Sequence, residues 1–165
     1  MNSIHFLHRR GQPVAMKTHP LQPVKPIPAT RVRTVIVDDS PFMLKILAQT
    51  LEEAGGFDLV GTATDAYQAL RHVSALTPEL VLMDIHMPGV NGVEATRRMK
   101  QSEHAPVVIL ISSHITAGTR SLAEQAGADG VVSKEANFRH LLMSALKKLF
   151  APSGLLDPGK QSADR

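Results

Sequence analysis

Five polar residues follow short apolar runs at widely separated points of the chain. They are three aspartates, a serine and a lysine: Asp38, Asp39, Asp84, Ser112 and Lys134. Taken singly, an Asp after a strand commonly starts a turn, and a Lys there is commonly solvated. Carboxylates crowded together raise one another's pKa unless a cation is present, and their oxygens are ligands that Mg²⁺ prefers. The set therefore predicts a magnesium site if the fold brings its members together.

The same residue types could also carry a phosphoryl group. A carboxylate can act as the nucleophile and form an aspartyl phosphate. Mg²⁺ and the ammonium group of Lys134 would then neutralise the charge on the phosphoryl oxygens during transfer. The hydroxyl of Ser112 could donate a hydrogen bond to one of those oxygens. Because a carboxylate is already an anion, this chemistry needs no general base.

Between residues 34 and 150, apolar runs alternate with segments of helical spacing. The runs predict strands at residues 34–38, 58–63, 80–84, 107–111 and 131–132. Helices are predicted after the N-caps Ser40 and Asp65, and at about 91–101, 116–126 and 135–150, the first of these capped by Asn91. Five strands and five helices in strict alternation predict an α/β fold with a doubly wound parallel sheet. Ligands of such sheets bind beyond the carboxyl ends of the strands, where the five polar residues stand.

The composition excludes several classes of protein. Apolar residues make up 43% of the 165-residue chain, enough for a packed core. The chain has no cysteine, which excludes a disulfide framework, a thiolate zinc site and a cysteine nucleophile. No apolar run approaches the roughly 18 residues of a membrane span. The first 20 residues also lack the continuous apolar stretch of a signal peptide.

The two ends of the chain differ from its middle. Residues 1–33 hold six basic and no acidic side chains, so the pI near 9.4 belongs mainly to this end and not to a basic binding surface. Five of the eleven prolines lie within residues 1–31, which predicts a disordered basic leader before a domain at residues 32–150. This leader could be a solvated extension, the product of a start codon placed too early (with Met16 as the true start), or a basic arm for an acidic partner. Residues 151–165 predict a flexible tail.

Four segments, in this order, resemble the receiver domain of response regulators in two-component signalling. They are residues 35–40 (VIVDDS), 80–89 (LVLMDIHMPG), 108–113 (VILISS) and 127–134 (GADGVVSK). The resemblance covers essentially all of residues 34–150. It implies a flavodoxin-like fold with five parallel strands in the order 2-1-3-4-5 and five helices.

The resemblance also implies a role for each site residue. Asp84 resembles the phosphorylated aspartate. Asp38 and Asp39 resemble the acidic pair that binds Mg²⁺ together with Asp84, and Asp39 would be the more direct ligand. The backbone carbonyl of His86 resembles a further ligand of the ion.

By the same resemblance, Ser112 is the switch hydroxyl and Lys134 is the lysine of the phosphorylation site. A receiver accepts phosphate from the phosphohistidine of a sensor histidine kinase or phosphotransfer protein, changes conformation and loses the phosphate by hydrolysis. Only 15 residues follow Phe150, too few for a DNA-binding or enzymatic domain. We therefore expect a stand-alone cytoplasmic switch, not an enzyme, that acts on an unidentified protein through helix 4, strand 5 and helix 5. We expect a monomer or a weak, phosphorylation-dependent dimer.

Three features depart from the family pattern. Val131 stands where the family often has an aromatic residue, so we expect the signal to pass by movement of the main chain after strand 4. Glu135 stands where proline commonly follows the lysine, so the usual cis peptide bond is not expected. His86 and His114 lie two positions past Asp84 and Ser112. They are either exposed loop histidines or groups that order or block the hydrolytic water, which would make phosphate loss pH-sensitive between about pH 6 and 7.

The sequence leaves two other classes of function open. A binding module or scaffold could keep the fold after losing phosphorylation, but neither the acidic residues nor the lysine is missing. A small metal-dependent phosphate hydrolase of a related fold would need a substrate cap and a second acid/base group, for which the chain has little room.

Overall fold

A computed structural model describes residues 31–150, in which strands and helices alternate strictly. Strands β1 to β5 span Val32–Val37, Phe57–Ala63, Leu80–Asp84, Val107–Ser112 and Gly130–Ser133. Helices α1 to α5 span Pro41–Ala54, Ala66–Leu76, Gly92–Met99, Ala117–Gln125 and Phe138–Phe150. The five strands of this region are parallel and lie in the order β2-β1-β3-β4-β5. The predicted fold class and strand order are confirmed.

The three central strands β1, β3 and β4 are buried on both faces because helices cover each side of the sheet. Side chains alternate between the two faces along a strand, so sequence neighbours enter different cores. On one face, Met83 and Leu110 pack with side chains of α2, α3 and α4. On the other face, Leu82 and Ile109 pack with side chains of α1 and α5. Every residue of β3 is buried, which explains why its sequence is a continuous apolar run that ends in Asp84.

The first four helices begin at side chains that cap them. Ser40, Asp65 and Asn91 each accept a hydrogen bond from a backbone N–H three residues on, in α1, α2 and α3. These three predicted N-caps are confirmed. Helix α4 begins at a capping box formed by Thr116 and Thr119. The caps fix where each helix starts, close to the carboxyl end of the preceding strand.

Several element boundaries differ from the predictions. Helix α5 begins at Phe138 and not at about residue 135, because residues 135–137 form a turn in which the N–H of Phe138 donates to the carbonyl of Glu135 (2.9 Å). Helix α3 ends at Met99, about two residues early, and Asp38 lies just past β1 rather than within it. Within residues 31–150 every peptide bond is trans, including the one before Glu135.

Helices of a length and apolarity sufficient to cross a membrane do not occur among residues 31–150. The predicted leader and tail concern residues 1–30 and 151–165, which lie outside the described part of the chain.

Candidate functional site

Adjacent strands deliver the predicted site residues to one edge of the sheet. Asp38 and Asp39 follow β1, Asp84 ends β3, Ser112 ends β4 and Lys134 follows β5. These four strands are neighbours in the sheet and run in the same direction. All five residues therefore lie at the carboxyl edge of the strands, where doubly wound sheets bind ligands.

The ammonium group of Lys134 joins two buried aspartates. Its Nζ lies 2.7 Å from Asp38 Oδ2 and 3.0 Å from Asp84 Oδ1. Asp38 and Asp84 are only 1% and 4% exposed, so these charge-assisted contacts are largely shielded from water and are strong. Residues far apart in sequence are thus brought together by the fold, as the sequence predicted.

The three aspartates form a compact acidic group. One carboxylate oxygen from each of Asp38, Asp39 and Asp84 lies within 4.8 Å of the others. Asp39 is exposed whereas the other two are buried, so the group opens to solvent on the Asp39 side. The N–H of Ser40 donates to Asp38 Oδ1 (2.9 Å), which orients that carboxylate at the start of α1.

The electrostatics of the site favour an additional positive charge. Burial raises the pKa of Asp84 above its usual value of 3.8; the hydrogen bond and charge of Lys134 oppose this rise, whereas the charge of Asp38 adds to it. For Lys134, burial by itself lowers the pKa, but hydrogen bonds and attraction from the two aspartates outweigh it and the pKa is raised. Lys134 therefore stays charged at neutral pH and does not fully compensate Asp84.

The donor set fits Mg²⁺. Three carboxylates face one ammonium group, and the remaining negative charge is what a divalent cation would neutralise. Carboxylate oxygens are hard ligands, and the exposed Asp39 leaves space for the water molecules that Mg²⁺ retains. The main chain of His86 also lies close enough to the Asp84 carboxylate to act to lower its pKa, against the larger effect of burial.

The hydroxyl of Ser112 is turned into its own loop. It donates to the carbonyl of His114 (3.0 Å) and accepts from the N–H of His114 (3.1 Å), and Ser112 is fully buried. The N–H of Lys134 donates to the carbonyl of Ser112 (2.8 Å), which ties the ends of β4 and β5 together. To reach a phosphoryl oxygen, the hydroxyl would have to exchange its His114 partners for that oxygen.

The two histidines near the site are exposed. His86 lies in the loop after β3, and His114 lies in the loop after β4. Exposure is what the simpler alternative, a pair of loop histidines, predicts. A role of their side chains in ordering the hydrolytic water stays a prediction.

An open groove runs along α1 beside Lys134. Phe42, in the first turn of α1, is 70% exposed. Together with Ile46 and Phe138 it lines a groove that also contains Lys134.

One residue of the site was missed by sequence reasoning. Gly92 begins α3 in contact with the main chain of Asp84, and a Cβ at this position would lie 2.1 Å from the Asp84 carbonyl oxygen. The sequence did offer one signal for this constraint. Glycine directly follows the N-cap Asn91, at a helical position where most other residues would stabilise the helix more.

Comparison with known proteins identifies the family. The response regulator receiver domain family matches residues 34–146, more than half of the chain. The chain therefore belongs to the response regulator receiver family, and the described fold is that of a receiver domain of two-component systems.

The chain matches only part of two curated relatives. The chain is 40% identical over 107 residues to a protein-glutamate methylesterase/protein-glutamine glutaminase of Myxococcus xanthus, covering 62% of this chain and 30% of that protein. It is 31% identical over 129 residues to the response regulator GacA of Pseudomonas viridiflava, covering 77% and 59%. The chain thus spans less than two thirds of the length of either relative.

A solved receiver shares the fold. The response regulator domain of CheB from Thermotoga maritima superposes with a TM-score of 0.65 at 28% identity, covering 78% of this chain and 99% of that domain.

Proposed function

We propose that this receiver accepts a phosphoryl group on Asp84 and thereby switches a protein-binding surface. The observation that carries the proposal is the contact of Lys134 with both Asp38 and Asp84, inside a group of three carboxylates. This arrangement supplies a nucleophile, a fixed cation beside it and an acidic pair that can hold a divalent ion.

The donor in the proposal is the phosphohistidine of a sensor histidine kinase or of a phosphotransfer protein. An oxygen of the Asp84 carboxylate forms a bond to phosphorus while the P–N bond of the phosphohistidine breaks. The electron pair of the P–N bond stays on the imidazole nitrogen, which then takes a proton. In the proposal the Lys134 ammonium, 3.0 Å from Asp84 Oδ1, contacts the phosphoryl oxygens. Mg²⁺, held by the carboxylates of Asp38, Asp39 and Asp84 and the carbonyl of His86, would supply further positive charge there.

The switch in the proposal starts at Ser112. If its hydroxyl turns to a phosphoryl oxygen, both hydrogen bonds to the main chain of His114 are lost. The loop after β4 is then released, and this loop leads directly to Thr116, which caps α4. The signal passes through main-chain movement, because Val131 offers no aromatic ring that could change its burial.

Helix α4 is packed lightly enough to move. Within α4, all of whose residues are described, only Ala123 is buried. Leu122 on the same helix is 51% exposed. A helix with few buried contacts opens or shifts at low free-energy cost, and the exposed leucine could contact a partner. We therefore infer that α4, β5 and α5 form the surface that a downstream protein recognises.

In this proposal the protein is a cytoplasmic signalling component, not an enzyme that acts on a separate substrate. The only chemistry is transfer to Asp84 and hydrolysis of the resulting acyl phosphate. A stand-alone receiver, monomeric or weakly dimeric when phosphorylated, remains the expectation from sequence.

Labelling with a small phosphodonor tests the proposal. We expect acetyl phosphate and Mg²⁺ to add a single phosphoryl group per molecule, and Asp84→Asn to take up none. Asp58→Asn, which changes an exposed aspartate on β2, serves as the matched control and should be labelled like the parent. The readout is the intact mass of each protein.

The same assay separates the other two classes of function. Multiple turnover on several phosphate esters would indicate a hydrolase. A complete lack of labelling in Mg²⁺ would indicate a receiver-like scaffold or binding module.

A further inference from the structure

Helix α3 begins directly against the main chain of Asp84. A Cβ at Gly92 would lie 2.1 Å from the Asp84 carbonyl oxygen, 2.9 Å from the Asp84 carbonyl carbon and 2.9 Å from Met83 Cγ. Two of these three atoms, the carbonyl oxygen and carbon of Asp84, belong to the backbone of a buried strand. Backbone atoms there cannot move aside as the end of a side chain can. Any residue larger than glycine therefore has to move α3 or β3.

Lack of space for a side chain, and not an unusual backbone conformation, explains why position 92 is glycine. Gly92 is not among the described residues with a positive φ, so its backbone is one that any residue could adopt. Glycine is also a poor helix former, so its presence in the first turn is locally unfavourable. A side chain is thus excluded at position 92 by the approach of Asp84.

Hydrogen bonds hold the first turn of α3 in this place. The N–H of Gly92 donates to the carbonyl of Ile85 (3.0 Å). The buried hydroxyl of Thr96 donates to the carbonyl of Gly92 (2.7 Å). Asn91 caps the helix by accepting from the N–H of Glu94 (2.9 Å). The start of α3 is therefore clamped to the residue that follows Asp84.

We propose that Gly92 is a positioning residue for the phosphoacceptor. The inference rests on the proposed function, in which Asp84 takes the phosphoryl group. On its other side, the main chain after Asp84 is bound to β4, since the N–H of Ile85 donates to the carbonyl of Ile111 (2.9 Å). Contact with α3 and pairing with β4 together fix the peptide unit of Asp84. The direction of its side chain, toward Lys134 and the acidic pair, follows from that peptide unit.

Replacement of Gly92 by alanine tests the inference. Because a misplacement of about 1 Å can cost about a hundredfold in rate, we expect Gly92→Ala to slow phosphorylation by acetyl phosphate roughly tenfold to a hundredfold per folded molecule. We also expect its Mg²⁺ dissociation constant, measured by calorimetry, to rise several-fold. A role of Gly92 in stability alone would change the folded fraction and neither of these two quantities.

Gly61→Ala is the matched control. Its Cβ would meet the end of the Leu76 side chain at 3.0 Å, and Gly61 lies in β2, away from the five site residues. Whatever the effect on stability, its phosphorylation rate per folded molecule and its Mg²⁺ affinity should equal those of the parent. Equal values for folded Gly92→Ala would overturn the inference.

A milder pair of variants covers the case in which Gly92→Ala does not fold. Asn91→Ala removes the cap of α3, and Asp65→Ala removes the equivalent cap of α2. We expect the first to slow phosphorylation and weaken Mg²⁺ binding several-fold, and the second to do neither. Identical behaviour of the two would contradict the inference.

The inference and the proposed function can fail separately. If the parent is labelled and the α3 variants match it, only the inference is wrong. If the parent is not labelled, the proposed function is wrong, and the Mg²⁺ affinities alone decide whether Gly92 positions Asp84.

Discussion

Replacing Lys134 with glutamine is expected to slow phosphorylation of Asp84 by about a hundredfold to a thousandfold, the usual effect of removing one preorganised group that stabilises transition-state charge. Lys134 Nζ lies 3.0 Å from Asp84 Oδ1 and also contacts Asp38. A glutamine amide keeps a hydrogen-bond donor but not the charge that the phosphoryl oxygens require. The rate of labelling by acetyl phosphate at saturating Mg²⁺ measures the effect.

The same substitution is expected to destabilise the protein without Mg²⁺. It leaves the carboxylates of Asp38 and Asp84 buried and without their cation. Removal of one partner from a buried ion pair lowers the free energy of unfolding by about 3 kcal/mol. Urea unfolding with and without Mg²⁺ measures this cost, and we expect Mg²⁺ to recover part of it, because binding to the folded state alone adds stability.

Lys100→Gln provides the matched control for Lys134→Gln. Lys100 is also a partly buried lysine in an ion pair, with Nζ 2.6 Å from Asp129 Oδ2 and 2.7 Å from the carbonyl of Pro106. It lies outside the acidic group, so its loss should lower stability but leave labelling per folded molecule unchanged. If the Lys134→Gln variant were labelled at the same rate as the parent protein, the role given to Lys134 would be contradicted.

Asp84→Asn is expected to have the opposite effect on stability. Without Mg²⁺ at neutral pH, we expect the variant to be more stable than the parent by on the order of 1 kcal/mol, because it removes a charge from a buried site that already holds Asp38. Burial raises the pKa of Asp84 in the folded protein. Ionisation of this carboxyl group is therefore easier in the unfolded chain and favours unfolding.

The sign of this effect fixes its pH dependence. Below the usual pKa of 3.8, the carboxyl group is protonated in both states and the variant has no advantage. As the pH rises from 3.8 towards the raised folded pKa, the penalty on the parent grows, and it reaches its full size above that folded pKa. Urea unfolding of both proteins across this range, without Mg²⁺, checks the prediction.

Asp129→Asn is a suitable comparison for the stability of Asp84→Asn. Asp129 Oδ2 accepts from Lys100 (2.6 Å) and from the N–H of Val108 (2.7 Å), without a second carboxylate in that contact. Its replacement should destabilise the protein. A loss of stability in Asp84→Asn as well would mean that Lys134 already compensates the acidic group fully.

The fold and the main contacts of the site could be predicted because they depend on patterns that the sequence shows directly. Buried parallel strands require continuous apolar runs, and the runs of β1, β3 and β4 lead directly into Asp38, Asp84 and Ser112. Alternation of strands and helices then places those ends at one edge. The strand order came from the resemblance to receivers, because alternation alone does not decide on which side of β1 each later strand is added.

Other features could not be predicted because they depend on distances between elements. The late start of α5 at Phe138 reflects a turn that helical periodicity does not reveal. The orientation of the Ser112 hydroxyl depends on where the loop places the main chain of His114. The constraint on Gly92 appears only when α3 is seen to touch Asp84, since glycine in a sequence usually indicates a turn or a special φ.

The most direct test of the account is a crystal structure of this protein with Mg²⁺ and beryllium trifluoride, a mimic of the phosphoryl group. We expect beryllium trifluoride bound to the Asp84 carboxylate, the metal ion on Asp39 and its neighbours, and Lys134 in contact with the fluorides. We also expect the Ser112 hydroxyl to leave His114 and to face the mimic. A structure in which the mimic occupies another residue, or in which Lys134 points away from Asp84, would contradict the account.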